Sequence, residues 1–371
     1  MAPVVRALLD RSEWLDVVTC VTAQHREMLD QVLQLFGVRA DHDLDIMTHG
    51  QDLYDVTARV IVGMRDVLRS ERPDAVLVHG DTTTSTMAAL AAFYEQIPVG
   101  HVEAGLRSHL RYSPFPEELN RRLTGQLATW HFAPTEQSRG NLLHEGIAAQ
   151  NILLTGNTAI DALLWMNDNL QDAHLDSGFS RSARGVLVTA HRRENFGDGI
   201  RNICQAILEL VAAFPDIEVI YPVHPNPNIK TPVFAILGAE PRVRLIEPVD
   251  YREFVLLMSR AHLILTDSGG VQEEAPSLGK PVLVLRECTE RPEAVEAGTV
   301  ALVGTERRAI VDAAARLLSD AGAWDRMARA VNPYGDGLAA ARMADHLLNT
   351  LVLPDDRQRA IRWFDATPRA N

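Results

Sequence analysis

Cysteine is scarce in this 371-residue chain: there are three, Cys20, Cys204 and Cys288, far apart and with no C-x-x-C pair among them. That excludes a disulfide framework and a thiolate zinc site and leaves three reduced thiols. Positive charge is also short, with 36 Lys and Arg against 49 Asp and Glu, for a formal net charge of −13. Phosphate backbones are gripped by basic faces, so no nucleic-acid partner is expected. No apolar run reaches the roughly 20 residues that span a bilayer. Residues 1–9 are interrupted by Asp10 and Arg11 before they could serve as a secretory signal. These absences point to the cytoplasm and to no membrane partner. No short internal repeat is present. No His/Asp cluster has ligand spacing, so neither a metal nor a cofactor is expected.

What is present is the balance of a folded protein, 46% hydrophobic and 23% charged residues. A length of 371 residues suggests two domains of roughly 100–200 residues each. Short β-branched runs alternate with amphipathic stretches of helical length, the pattern of parallel sheets covered by helices. In a first series, strands are expected at 17–21, 75–79, 99–102, 131–133 and 152–154, and helices at 24–36, 52–69, 84–96, 117–127 and 136–145. In a second, strands are expected at 185–190, 217–222, 243–246, 263–266 and 281–285, and helices at 202–214, 251–261, 271–278 and 307–319. The polar stretch 167–184 breaks both series. The resulting division is a first Rossmann-like domain over 1–168, a linker over 169–184, a second over 185–345, and a helix or tail over 346–371 that returns to the first. Doubly wound sheets bind ligands at the carboxyl ends of their strands, so the site is expected in a cleft between the two domains.

Several segments carry chemistry at such strand ends. Thr266-Asp267-Ser268-Gly269-Gly270-Val271-Gln272-Glu273-Glu274 reads as a strand, a glycine turn and a helix start, suited to a diphosphate, with Glu274 placed to accept from a ribose diol. Asp267, Glu273 and Glu274 crowd this segment with no evident structural need. His191-Arg192-Arg193 sets two cations beside a titratable histidine, as an anionic leaving group would require, and Arg286 and Arg291 form a second basic pair. His224, in a Pro-rich turn, carries two readings, a histidine at the anion site or a turn cap, the second slightly ahead.

In the first series, Asp81 follows the strand at 75–79, Glu103 follows the strand at 99–102, and Pro116 opens a helix whose first turn holds Glu117 and Glu118. Like charges and burial raise carboxyl pKa values and equip such groups for proton exchange near neutrality. The plainer alternatives are a helix cap for Asp81, an ion pair with Arg107 or Arg121 for Glu103, and a helix-dipole role for Glu117.

Taken together, Cys20 through Met28, His79 through Thr84, His101 through Arg107, His191 through Gly197, Ser268 through Glu274, Thr289 through Glu293 and Asn332 through Gly337 closely resemble the non-hydrolysing UDP-N-acetylglucosamine 2-epimerases, in the same order and across almost the whole chain. The resemblance implies two Rossmann-like domains of the glycosyltransferase-B type, as a homodimer. It implies that Asp81, Glu103, Glu117 and His191 are catalytic. The UDP-sugar would be held by Ser268, Gly269, Gly270, Glu274 and Arg291, with Phe254 beside uracil and Arg121 and Arg192 as further substrate contacts. The implied reaction eliminates UDP to give 2-acetamidoglucal and adds it back with the proton delivered to the opposite face, interconverting UDP-N-acetylglucosamine and UDP-N-acetylmannosamine. A second UDP-N-acetylglucosamine, bound at Gln24, His25 and Arg26, would act as an allosteric activator.

One departure stands out. Members of that family begin with a strand and a Gly-Thr-Arg-Pro-Glu loop that have no counterpart before Met1-Ala2-Pro3. Residues 2–10 read as a helix. The expectation is an amino-terminally shortened chain, weakly active until the upstream residues are restored, in which the strands flanking the missing one lack ladder partners. Three other readings compete: a retaining glycosyltransferase of the same fold, a hydrolysing relative, and a nucleotide-sugar binding protein without catalysis.

Overall fold

A computed structural model describes residues 1–23, 26–48, 50–170, 178–180 and 182–352. The chain divides into two compact units, residues 1–161 with the segment from 337 onward, and residues 162–336. No helix among the described residues is long and apolar enough to cross a membrane.

Unit 1 contains α1 (Ala2–Leu9), β1 (Cys20–Val21), α2 (Arg26–Phe36), β2 (His42–Asp43), α3 (Leu53–Glu71), β3 (Val76–His79), α4 (Thr83–Tyr94), β4 (Val99–Val102), α5 (Glu117–Leu127), β5 (Trp130–Ala133), α6 (Glu136–His144), β6 (Ile152–Leu154) and the start of α7 (Thr158–Leu170). Local signals explain the helices. In α3, Asp52 forms a capping box with Asp55, and Val56, Val60, Met64 and Leu68 bury one face at four-residue spacing. The strands β3-β4-β5-β6 form a parallel sheet, while β1 and β2 pair only with each other. The strand expected at 17–21 is thus two residues long. Among the described residues no ladder joins β1 to β3.

Unit 2 contains the rest of α7, then β7 (Arg184–Thr189), α8 (Asp198–Ala213), β8 (Ile217–Pro222), α9 (Pro227–Leu237), β9 (Val243–Ile246), α10 (Tyr251–Arg260), β10 (Leu263–Thr266), α11 (Gly269–Glu274), β11 (Val282–Val284), α12 (Pro292–Glu296), β12 (Val300–Leu302), α13 (Arg307–Ser319) and α14 (Ala321–Ala328). Its six strands run in the order β12-β11-β10-β7-β8-β9, all parallel, which is the doubly wound order 3-2-1-4-5-6. The core is continuous and apolar, with Ile200, Ile203, Ile207 and Leu210 of α8 fully buried against the sheet. Cys204 lies in that core, and burial pushes its thiol up to about 12, so it is unreactive.

Two boundaries differ from those expected. The chain returns to unit 1 at 337 rather than 346, through α15 (Ala339–Leu351). The reason is a contact distant in sequence: α15 has no side-chain cap from its own N-cap residue, and Asp161 of α7 accepts from Ala339 N at 3.3 Å and Ala340 N at 2.8 Å. Met343, Ala344 and Leu347 of α15 then bury against Val4 and Leu8 of α1, together with Val102 and Phe132. The expected linker is helical to Leu170 and strand from Arg184, while residues 171–177 and 181 lie outside the described residues.

Candidate functional site

In unit 1, β3 and β4 are neighbours with His79 opposite Val102, so the turns at 80–82 and 103–105 leave the sheet side by side. Thr82, not Asp81, caps α4, its hydroxyl accepting from Ser85 N at 3.2 Å. Asp81 instead accepts from Arg121 Nε of α5 at 2.7 Å. Glu103 has φ 62, a left-handed conformation that costs a non-glycine residue about 1–3 kcal/mol and that recurs at functional positions. Its Oε2 lies 2.8 Å from His79 Nε2. Neither expected ion-pair partner takes it: Arg121 goes to Asp81, and the fully buried Arg107 makes a bidentate pair with Glu145 at 2.8 and 2.7 Å. Two residues on, Gly105 has φ 89, and a Cβ there would collide with the Ser138 carbonyl, so only glycine fits.

The expectation of raised carboxyl pKa values is corrected at Glu103. Burial pushes this carboxyl up, but the hydrogen bond and charge of His79, with the charge of Arg121, outweigh it and hold it below the usual range. Beneath the turn, His101 is wholly buried, which pushes it down to about 4, and its Nε2–H donates to the Gly80 carbonyl at 2.8 Å.

Of the two acids opening α5, the half-buried Glu117 has no side-chain hydrogen bond or ion pair among the described residues. Its neighbour Glu118 is fully buried and accepts from Ser108 N at 2.9 Å and from Arg122 at 3.0 and 3.2 Å. Sequence reasoning gave Glu118 no role; the signal was the Glu-Glu doublet itself, one member of which must turn inward on a half-buried helix. Gln24 and His25 lie outside the described residues, as does the side chain of Arg26 at the head of α2.

In unit 2 the sheet's switch point falls between β7 and β10, where α/β folds leave a crevice. Register pairs Thr189 with Thr266, so His191 and Arg192 emerge beside Asp267 through Gly270. The two motifs are fastened together. Asp267, fully buried, accepts through Oδ2 from His191 N and Arg192 N, each at 2.8 Å, and from Asn195 Nδ2 at 2.9 Å. Asp267 thus has the structural role that the sequence reading denied it. The His191 ring stacks on His224 with centroids 5.8 Å apart, and His224 Nδ1 accepts from Asn226 N at 3.1 Å, as a turn cap does.

The four expected cations divide into two kinds. Arg286 is nearly buried and pairs with Glu194 at 2.6 Å and Glu290 at 3.5 Å. Arg291 pairs with Glu273 at 2.7 Å and Glu290 at 3.1 Å, and lies so close to Gly269 that a Cβ there would sit 3.1 Å from its guanidinium carbon. Arg192 and Arg193 have no side-chain hydrogen bond or ion pair among the described residues, which leaves them for an anion. Ser268, half-buried, makes no side-chain cap, and a Cβ on exposed Gly270 would meet open space. Glu274 accepts from Tyr251 Oη at 3.3 Å, and burial, with Glu273 adding to it, raises its carboxyl to about 7. Phe254, half-buried, is three residues after Tyr251 on α10 and so shares its face.

Comparison with known proteins identifies the family. The family description UDP-N-acetylglucosamine 2-epimerase matches residues 7–348. The UDP-N-acetylglucosamine 2-epimerase of Escherichia coli K12 is 54% identical over 360 residues, covering 95% of this chain and 96% of its own. Among solved structures, that of a putative UDP-N-acetylglucosamine 2-epimerase from Listeria monocytogenes superposes with a TM-score of 0.89 at 47% identity, covering 95% of this chain and 92% of its own. The Neisseria meningitidis UDP-GlcNAc 2-epimerase, solved bound to UDP-GlcNAc, superposes with a TM-score of 0.82 at 50% identity, covering 94% and 95%. With its Rossmann-like units, its acidic turns after β3 and β4 and its basic switch point, the chain belongs to the UDP-N-acetylglucosamine 2-epimerase family.

Proposed function

We propose that this protein catalyses the reversible C2 epimerisation of UDP-N-acetylglucosamine and UDP-N-acetylmannosamine, by eliminating UDP to 2-acetamidoglucal and adding it back. The observation that carries the reading is the nitrogen base bonded to each acid at the ends of β3 and β4. Arg121 bonds Asp81, and His79 bonds Glu103, whose carboxyl is held below the usual range, as suits a base for the weakly acidic C2 hydrogen. Glu117, without a partner, is the third acid of the pair of faces that inversion requires. Arg192, left unpaired, together with Arg291, Ser268, Gly269 and Gly270, would hold the departing diphosphate, where charge develops in the transition state. Glu274 would take the ribose hydroxyls and Phe254 the uracil, and His191 would serve the leaving group beside Arg192. The Neisseria relative, solved bound to UDP-GlcNAc, supports the substrate class.

The test is turnover of UDP-N-acetylglucosamine alone, followed by proton NMR. An equilibrium mixture of the two UDP-sugars with no acceptor present is expected. Free N-acetylmannosamine with UDP would indicate a hydrolase, and turnover only on adding an acceptor would indicate a glycosyltransferase. Two further parts of the reading concern assembly and control. A homodimer is proposed through the exposed apolar side chains Tyr54 and Val62 of α3, Phe93 and Tyr94 of α4, and Leu119 and Leu123 of α5, and sedimentation at the monomer mass would refute it. UDP-N-acetylglucosamine at Gln24, His25 and Arg26 is proposed as an allosteric activator, and a hyperbolic rate dependence in the wild type would refute that.

A further inference from the structure

The two oxygens of Asp267 keep different company. Oδ2 accepts the three donors of the β7–α8 loop, from His191 N, Arg192 N and Asn195 Nδ2. Oδ1, buried in the same fully enclosed side chain, has no hydrogen bond and lies 3.5 Å from Nδ1 of His191. A buried acceptor left without a donor is costly, and a proton on His191 Nδ1 is the donor in reach. The distance is long for a finished hydrogen bond, but catalytic contacts are commonly long in the ligand-free state and tighten with substrate.

We propose that Asp267 is a positioning residue which holds His191 as the Nδ1–H tautomer, so that Nε2 is the ring nitrogen offered to the substrate. The proposal rests on the functional reading above, in which His191 acts on the leaving group. Three features make it specific. The His191 backbone is fixed by the same carboxylate, so ring and loop move together. The ring's other face is covered by His224, which limits rotation about χ2. Asp267 is itself immobile, at the end of a buried strand whose Thr266 hydroxyl bonds that of Thr189 at 2.6 Å. In the neutral ring, Nε2 then carries the lone pair; in the protonated ring, Nε2–H becomes the donor for a diphosphate oxygen while Asp267 steadies the charge from behind.

Substitution Asp267→Asn separates this role from the clamp. The three donors fix the amide's carbonyl at the Oδ2 place, so its NH2 group takes the Oδ1 place and donates to His191 Nδ1, forcing the ring proton to Nε2. The experiment is long-range 1H–15N NMR of the full chain labelled at histidine nitrogens, with His191 assigned by its loss in His191→Gln, at about pH 8 where ordinary histidines are neutral. The wild type should show a protonated Nδ1 and a bare Nε2, and Asp267→Asn the reverse. In that variant kcat should fall about 100-fold or more, as for a histidine held in the wrong tautomer, while the UDP dissociation constant changes by less than about three-fold, because the loop clamp persists. A wild type with Nε2–H, a variant whose tautomer is unchanged, or a reversed tautomer with wild-type kcat would each overturn the proposal. Should Asp267→Asn fail to fold, the wild-type spectrum alone still decides. A wild type with the expected tautomer but no epimerisation would sink the functional reading and leave the positioning of His191 standing.

Discussion

In unit 1 the acids that follow β3 and β4 are held by side chains, Asp81 by Arg121 and Glu103 by His79, while the buried Glu118 accepts from Ser108 N and Arg122. In unit 2 the loops after β7 and β10 are tied through backbone, with Asp267 holding the amides of His191 and Arg192, whose guanidinium has no ion pair among the described residues. On the proposed function, the difference suits the chemistry each end would perform. Proton transfer would use Asp81 and Glu103, each bonded to a nitrogen base, Arg121 and His79. Anion binding would draw on Arg192, whose nearby carboxylate Asp267 takes peptide N–H groups instead.

Removing the charges of unit 1 is the strongest way to break that contrast. Asp81→Asn, Glu103→Gln and Glu117→Gln should each lower kcat by about 10²–10⁴-fold, the usual contribution of a positioned acid or base. UDP affinity, measured by calorimetry, should stay within a few-fold. Equal losses in rate and affinity would mean that unit 1 binds the nucleotide as well.

Next in size is the nucleotide side. Glu274→Ala should raise the UDP dissociation constant by about ten-fold, since a charged hydrogen bond contributes roughly 1.5–3 kcal/mol. An unchanged constant would remove Glu274 from the ribose.

The same residue supplies a pH signature. Its carboxyl is raised to about 7, so the ionised form that accepts from a ribose is lost as pH falls through that value. UDP should therefore bind up to roughly ten-fold more weakly at about pH 6 than at about pH 8, and Glu274→Gln should abolish that dependence. Stability runs the other way. The folded state holds this proton more tightly than the unfolded chain, so the contribution is full below the ordinary carboxyl range and lost as pH rises through 7. Thermal denaturation should show Glu274→Gln gaining on the wild type at about pH 8 but not at about pH 4; a gain of the same size at both would contradict the raised value.

The smallest effect concerns scaffolding alone. Thr82→Ala removes the cap of α4 and should cost about 1 kcal/mol, or about 2–4 °C in Tm, without changing UDP affinity. A Thr82→Ala variant whose Tm equals that of the wild type would show that the assignment of the cap to Thr82 is wrong.

Much of this architecture was legible in residue pattern. β-Branched runs located β3 through β11 to within a few residues, and with them the turns after β7 and β10 that hold His191, Arg192 and Ser268 through Gly270. What stayed hidden is a matter of choice between neighbours. Asp81 and Thr82 are both good caps, and only the direction of the turn decides between them. Glu117 and Glu118 differ by one position on α5, which rotates one into the core and the other outward. Asp267 looked surplus because its partners are backbone amides, which carry no sequence signal. α9 escaped notice since it contains Pro227 and Pro232, which argue against a helix, although Asn226 caps it and Pro227 sits at its start. The early return of the chain at 337 depends on Asp161 meeting α15 from 178 and 179 residues away, beyond any local pattern.

Solvent hydrogen at C2 is the most direct test of the central claim, that the acids of unit 1 move a proton at C2 while unit 2 holds UDP. Incubation of UDP-N-acetylglucosamine with the protein in heavy water should place deuterium at C2 of both epimers, and the Asp81→Asn, Glu103→Gln and Glu117→Gln variants should lose that exchange while still binding UDP. Interconversion that retains the original hydrogen at C2 would contradict the account.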